Sequence, residues 1–260
     1  MQIGSRQAGN ERRSGNVNHV AHTWSDDGRP SAKLPMTVTP KPVTISVDEA
    51  HCVSGLLLVP RHARACYVLA HGAGAGMTHP FMASVANGLA GRGIATLRYQ
   101  FPYMEQGSKR PDAPKLAQAA VRSAIIEAAT LVPKLPLVAG GKSFGGRMTS
   151  QAQAETPLSN VRGLAFLGFP LHAAGRPSDE RAAHLFPVKI PMLFLQGTRD
   201  ALADIALMRK LVGALGKRAT LVAIEEGDHS FHVPARTGRT DAGVMEEVIK
   251  ALAGWIDALA

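Results

Sequence analysis

The sequence is poor in cysteine. Cys52 and Cys66 are its only two, too few for a disulfide-stapled scaffold, and neither has metal-ligand spacing. Both sit in strand-like surroundings, so each is expected to be a buried thiol in a reducing, cytoplasmic setting. Aromatic residues are scarce, at 5%. The formal net charge is +9, but the basic residues are scattered, and only "ERR" and "SKRP" form clusters. With no basic helix and no aromatic platform, no nucleic-acid partner is expected. The charge implies a basic surface with a modest preference for anionic ligands. No run of about 18 apolar residues occurs, so no membrane-spanning helix is expected. The first twenty residues lack the apolar core of a secretory signal, and no internal repeat is visible.

What is present is enough for one large core. A chain of 260 residues buries roughly 70–75% of its unfolded surface and needs no metal or disulfide to fold. Residues 1–42 are polar and rich in Gly, Ser, Asn, Arg and Pro without a sustained period, which predicts a flexible leader with a net charge of only +3. From Val43 to the end a single domain is expected, 43–260. "VTISV" and "VSGLLLVP" read as an antiparallel strand pair at a sheet edge. Short apolar runs then alternate with helical patterns: "CYVLA", "IATLRY", "LPLVAGG", "VRGLAFLGFP", "IPMLFLQGT" and "ATLVAIEE" as strands. Helices are expected over 80–93, 116–132, 144–155, 201–215 and 241–259. Continuous apolar strands alternating with helices predict an α/β fold, a mainly parallel sheet with helices on both faces. In such sheets ligands bind beyond the carboxyl ends of the strands.

The residues just past those strand ends carry the chemistry. "GKSFG", Gly141 to Gly145, is G-x-S-x-G between a strand and a helix, the context in which a Ser hydroxyl is raised on a sharp turn as a nucleophile. A phosphate loop would need a glycine further upstream of Lys142, and "HGAGAG" has the wrong spacing for a dinucleotide fingerprint. A Ser hydroxyl needs a base. His229, in "EEGDHSFH" after an apolar run, is the candidate, with His232 as its rival. Asp200, in "LQGTRDALAD", is the candidate to orient that imidazole; Asp204 and Asp228 compete, and Asp200 could instead cap a helix. The order Ser143, Asp200, His229 is that of α/β-hydrolases. Oxyanion donors are expected at the N–H of Phe144 and of Ala73, with Gly74 next in line. His71 is expected to brace that turn. Arg147, a cation in the first turn of a helix where the dipole opposes it, could meet an anionic substrate group or a structural carboxylate. Arg98, Tyr99 and Tyr103 could line a pocket. The 171–189 connection is too short for a lid domain, so the site is expected to be open, with 172–186 as a possible flexible rim.

Together "HGAGAGMTHPFM", "LRYQFPY", "GGKSFGGRMTS", "LQGTRDAL" and "GDHSF" resemble the α/β-hydrolases of the dienelactone-hydrolase-like clan. More narrowly, they resemble the hydrolase-like branch that includes testis-expressed and chromatin-complex-subunit proteins. The resemblance covers about Val43 to the end. It implies the α/β-hydrolase fold with Ser143, Asp200 and His229 as the triad. Dienelactone hydrolases use a Cys nucleophile where this chain has Ser143, so their substrate does not carry over. The reading that results is a serine hydrolase of esters or thioesters of small to medium acyl substrates, requiring no cofactor. The alternative is an interaction subunit that keeps the fold with little catalysis.

Overall fold

The computed structural model describes residues 39–260. The leader expected over 1–42 lies outside those residues except at its end, where Lys41 and Pro42 already belong to the first strand. β1 (Lys41–Ser46) and β2 (Cys52–Leu58) form the expected antiparallel pair, with Ser46 opposite Cys52. There follow β3 (Ala65–Ala70), α1 (Pro80–Ala90), β4 (Ile94–Tyr99), the short α2 (Pro102–Glu105), α3 (Pro114–Leu131), β5 (Leu137–Lys142) and α4 (Phe144–Glu155). The chain closes with β6 (Val161–Leu167), β7 (Met192–Gly197), α5 (Ile205–Leu215), β8 (Ala219–Ile224) and α6 (Asp241–Asp257).

The sheet order is β1-β2-β4-β3-β5-β6-β7-β8. β2 is antiparallel to β1 and β4, and every later pairing is parallel. After β3 the chain runs first to β4 on one side and then back to β5 on the other. The carboxyl ends of β3 and β5 therefore flank a topological switch point, where a crevice opens in sheets of this type.

Alternation of side chains along the strands builds two cores. On β3, Cys66, Val68 and Ala70 join the layer under α3, α4 and α5, while Ala65, Tyr67 and Leu69 join the layer under α1 and α6. Fully burying each Leu, Val or Phe in these layers contributes roughly 1.5–3 kcal/mol. The buried Tyr67 hydroxyl keeps a partner by donating to the Ala165 carbonyl at 2.8 Å.

Local chemistry sets the helix ends. α1, α2 and α3 each begin with a proline, whose missing N–H costs nothing at that position. The helix expected from Ala201 begins four residues later, at Ile205, because Asp204 caps it: its carboxylate accepts the Leu207 N–H at 2.9 Å. Residues 198–203 are thereby left as loop. One expectation about the thiols fails. Cys66 is buried, and burial pushes its thiol up to about 12, but Cys52 is exposed because it opens β2 at the hairpin end of the sheet's edge. The 171–189 connection holds a 3₁₀ turn, Glu180–Leu185, whose Ala182 and Leu185 are buried in the layer beneath α4.

Candidate active site

β5 delivers Ser143 to the switch point through a turn that only glycines permit. Gly141 has φ +154°, and a Cβ there would stand 2.2 Å from the Ala70 carbonyl oxygen; a Cβ on Gly145 would meet the His71 oxygen at 2.5 Å. Backbone packing this close lets β5 turn directly into α4. Ser143 itself sits at φ 50° and ψ −114°, a conformation costing about 1–3 kcal/mol for a residue with a Cβ. Its N–H is pinned to the Leu167 carbonyl of β6 at 3.2 Å.

Loops from two other strand ends complete the constellation. The Ser143 Oγ lies 2.8 Å from His229 Nε2, and His229 Nδ1 lies 2.6 Å from Asp200 Oδ2. A carboxylate only accepts, so Nδ1 carries the proton and Nε2 is free to accept from the Ser143 hydroxyl. The Asp200 side chain is fully buried and is held by two further donors: the Leu202 N–H at 2.7 Å to Oδ1 and the Gln196 side-chain amide to Oδ2. Gln196 is fixed in turn by accepting the Phe169 N–H at 2.9 Å.

The rivals have other work. Asp204 caps α5 and Asp228 shapes the histidine loop, accepting the N–H groups of Ser230 and His232. His232 faces solvent beside Asp241, which raises its pKa through a 2.6 Å contact.

The turn after β3 supplies the facing wall. Ala75 N–H closes it onto the Gly72 carbonyl at 3.2 Å, and Gly74 adopts φ +72°. The N–H groups of Ala73 and Phe144 make no hydrogen bond among the described residues, whereas the Gly74 N–H donates to the Tyr103 hydroxyl at 3.0 Å. Gly74 is therefore a brace and not a spare donor. His71 braces as expected: Nδ1–H donates to the Gly72 carbonyl at 2.7 Å, and Nε2 accepts the Phe101 N–H at 3.1 Å. Burial holds this imidazole neutral, with its pKa lowered to about 4. Phe101 and Phe144 back the turn with rings 5.2 Å apart.

A cavity of about 920 Å³ opens beside Ser143, Ala73 and His229 and runs between α1 and α6 past Phe81, Phe231 and Met245. Gly74, Arg98, Tyr103 and Arg147 do not line it. For Arg98 this corrects the expectation: it is buried and donates to the Met77 carbonyl at 3.0 Å, tying down the loop between β3 and α1. Tyr99 is likewise buried in the core, away from the cavity.

Two residues with site roles escaped the sequence reading. Lys142, deeply buried at the end of β5, donates to the His229 carbonyl at 2.6 Å, with its ammonium 5.8 Å and 5.9 Å from the Phe81 and Phe231 ring centres. Burial lowers its pKa to about 8, opposed by the charges of Asp200 and Asp228. Gln196 is the other. A polar residue inside the apolar run "MLFLQG" was the available signal for it.

Among the described residues no helix is long and apolar enough to cross a membrane, and no group of three or more His, Cys, Asp or Glu side chains is arranged to hold a metal ion. The fold and this geometry define an α/β-hydrolase. The family model described as "Alpha/beta hydrolase domain" matches residues 63–257, and the chain belongs to that family. Among solved structures it is similar to a dienelactone hydrolase from Anabaena variabilis, at 23% identity and a TM-score of 0.68 over 86% of this chain and 99% of that one. It is also similar to a lidless α/β serine hydrolase from Xanthomonas campestris, at 18% identity and TM-score 0.65 over 84% and 95%. A third is Est1E from Butyrivibrio proteoclasticus, solved with ferulic acid bound, at 15% identity and TM-score 0.63 over 84% and 98%.

Proposed function

We propose that the chain is a serine hydrolase that cleaves carboxylic ester or thioester bonds of a small to medium substrate through an acyl-enzyme. The observation that carries this reading is the unbroken relay of 2.8 Å and 2.6 Å contacts from Ser143 through His229 to Asp200. In the first half-reaction Oγ attacks the carbonyl carbon while Nε2 takes the hydroxyl proton. The carbonyl π-pair moves onto oxygen, where the N–H groups of Phe144 and Ala73 receive it, each such donor contributing roughly 2.7–4 kcal/mol at the transition state. The dipole of the twelve-residue α4 adds to that field. Collapse expels the alcohol or thiol, which takes the proton back from His229. Water, deprotonated by His229, then attacks the acyl-Ser143, and collapse releases the acid as the Ser143 oxygen takes that proton back from His229. Asp200 keeps the imidazole in the correct tautomer and offsets its positive charge.

The apolar cavity between α1 and α6 suits an acyl or aryl group, with Phe81, Phe231 and Met245 as its walls. On its motifs we assign the chain to the testis-expressed and chromatin-subunit branch of the clan. We place it in a reducing, cytoplasmic compartment, where Cys52 and Cys66 remain thiols. A panel of activated esters of graded chain length tests the reading. Wild type is expected to turn over short esters and Ser143→Ala to lose at least about 10³-fold. Equal rates in both proteins would remove Ser143 from the mechanism and leave the fold as an interaction scaffold.

A further inference from the structure

Arg147 is a cation with no visible reason to be where it is. Its backbone N–H bonds to the Ser143 carbonyl at 3.1 Å, so its backbone lies about one helical turn, roughly 6 Å along the axis, beyond that of Ser143. The N-terminal turn of α4 opposes a positive charge there. The side chain is half-buried, its Nε is sealed from solvent without a hydrogen-bond partner, and no carboxylate among the described residues pairs with it. By contrast, Arg64, Arg122 and Arg239 each meet an acid.

A second such group lies in the 3₁₀ turn that packs against α4. Arg181, from the 3₁₀ turn, is also half-buried and without an acid among the described residues. Burial first, and then the charge of Arg181, depress the pKa of Arg147. His184 of the same turn completes the cluster. Its Nε2 lies 2.8 Å from Ser150 Oγ, which donates to the Arg147 carbonyl at 2.9 Å. Burial and the Arg147 charge lower its pKa to about 4, so it is neutral near pH 7. Two guanidinium groups and an uncharged imidazole thus belong to the place where α4 meets the 3₁₀ turn, and among the described residues neither arginine has a carboxylate within salt-bridge distance. Like charges held together in a partly desolvated place are stabilised by an anion.

We propose that Arg147 and Arg181 form an anion subsite beside Ser143 that receives a carboxylate or phosphate group carried by the substrate. It stands on the α4 side of the sheet, opposite the apolar cavity between α1 and α6. The substrate therefore bridges the two, with its ester at Ser143, an apolar group under α1 and α6, and an acidic group at the arginines. This assignment rests on the hydrolase reading for its ester, but not for its anion.

The test compares 4-nitrophenyl hydrogen glutarate with 4-nitrophenyl butyrate on the full chain, on Arg147→Gln/Arg181→Gln and on Arg147→Lys/Arg181→Lys. Wild type is expected to favour the anionic ester by at least about tenfold in kcat/KM, mainly through KM, as charge-assisted hydrogen bonds allow. The Gln pair brings the ratio of the two substrates to within about threefold of one, and the Lys pair restores part of it. A wild type without preference, or a Gln pair that keeps it, overturns the subsite. In parallel, inorganic phosphate is titrated against thermal unfolding of wild type, Ser143→Ala and the Gln pair. A rise in Tm for the first two that is lost in the third supports the subsite even where no ester is hydrolysed, an outcome that would defeat the hydrolase reading alone. A rise that persists in the Gln pair, or none in any protein, counts against the subsite.

Discussion

Replacing Asp200 by Asn probes the relay at its most constrained point. The carboxylate is filled by three donors: His229 Nδ1–H and the Gln196 amide on Oδ2, and the Leu202 N–H on Oδ1. An Asn has one oxygen for these two positions. With the oxygen toward His229, the amide NH₂ meets the Leu202 N–H. With the NH₂ toward His229, it meets the Gln196 donor and forces Nδ1 to accept, which places the imidazole proton on Nε2, where it blocks uptake from Ser143. Either orientation leaves a buried donor facing a donor, costing about 1–3 kcal/mol. For a domain of this size that lowers Tm by roughly 2–12 °C. Either orientation also removes the negative charge opposite the imidazolium that forms at the transition state. At about 4 Å and an effective dielectric of about 20 that charge contributes about 4 kcal/mol, or roughly 10³ in rate, and the wrong tautomer extends the loss toward about 10⁴. The assay is steady-state hydrolysis of an activated short ester, with circular dichroism melting on the same samples. The expectation is a fall in kcat of about 10³–10⁴ with KM little changed. A variant within about tenfold of wild type in kcat would refute the role given to Asp200.

Two further outcomes follow from buried titratable groups. His71 has its pKa lowered from 6.5 to about 4 by burial. The unfolded chain therefore binds a proton at this position more readily than the folded one between those values. Stability is full above about pH 6.5 and falls as pH drops toward 4, by on the order of 3 kcal/mol from this group; a urea-unfolding series should show that slope diminished in His71→Asn. Lys142 has its pKa lowered from 10.5 to about 8, chiefly by burial. Its cost to folding is full below about pH 8 and is relieved as pH rises toward 10.5, again by on the order of 3 kcal/mol. Lys142→Met should be the more stable protein at pH 7 yet hydrolyse esters more slowly, because the His229 carbonyl loses its 2.6 Å donor; an unchanged rate would show that this contact does not position the histidine.

The fold was readable because its signals were local and periodic. Apolar runs such as "CYVLA" and "MLFLQG" have no polar alternation because both sheet faces are covered, and the glycines around Ser143 advertise a turn that no Cβ would survive. The convergence of Ser143, Asp200 and His229 was legible because each follows such a run, and the parallel strands β3 to β8 bring their carboxyl ends to one edge. What could not be read depends on partners distant in sequence. Lys142 finds the His229 carbonyl 87 residues away, and Gln196 gains its meaning only beside both Asp200 and Phe169. Arg98 illustrates the opposite error. Its place at the end of β4 suggested a pocket residue, but the side chain turns inward to the Met77 carbonyl. Cys52 sat in a strand pattern, but it opens β2 beside the hairpin turn and before the stretch paired with β4, a place and hence an exposure that periodicity alone does not reveal.

The central claim is that Ser143 is an activated nucleophile, and the most direct measurement is covalent capture. The full chain is treated with a fluorophosphonate and digested, and the adduct is located by mass spectrometry. One phosphonyl group on the peptide bearing Ser143 is expected, slowed by orders of magnitude in His229→Ala and absent in Ser143→Ala. No adduct on wild type, or one borne by another residue, would contradict the account.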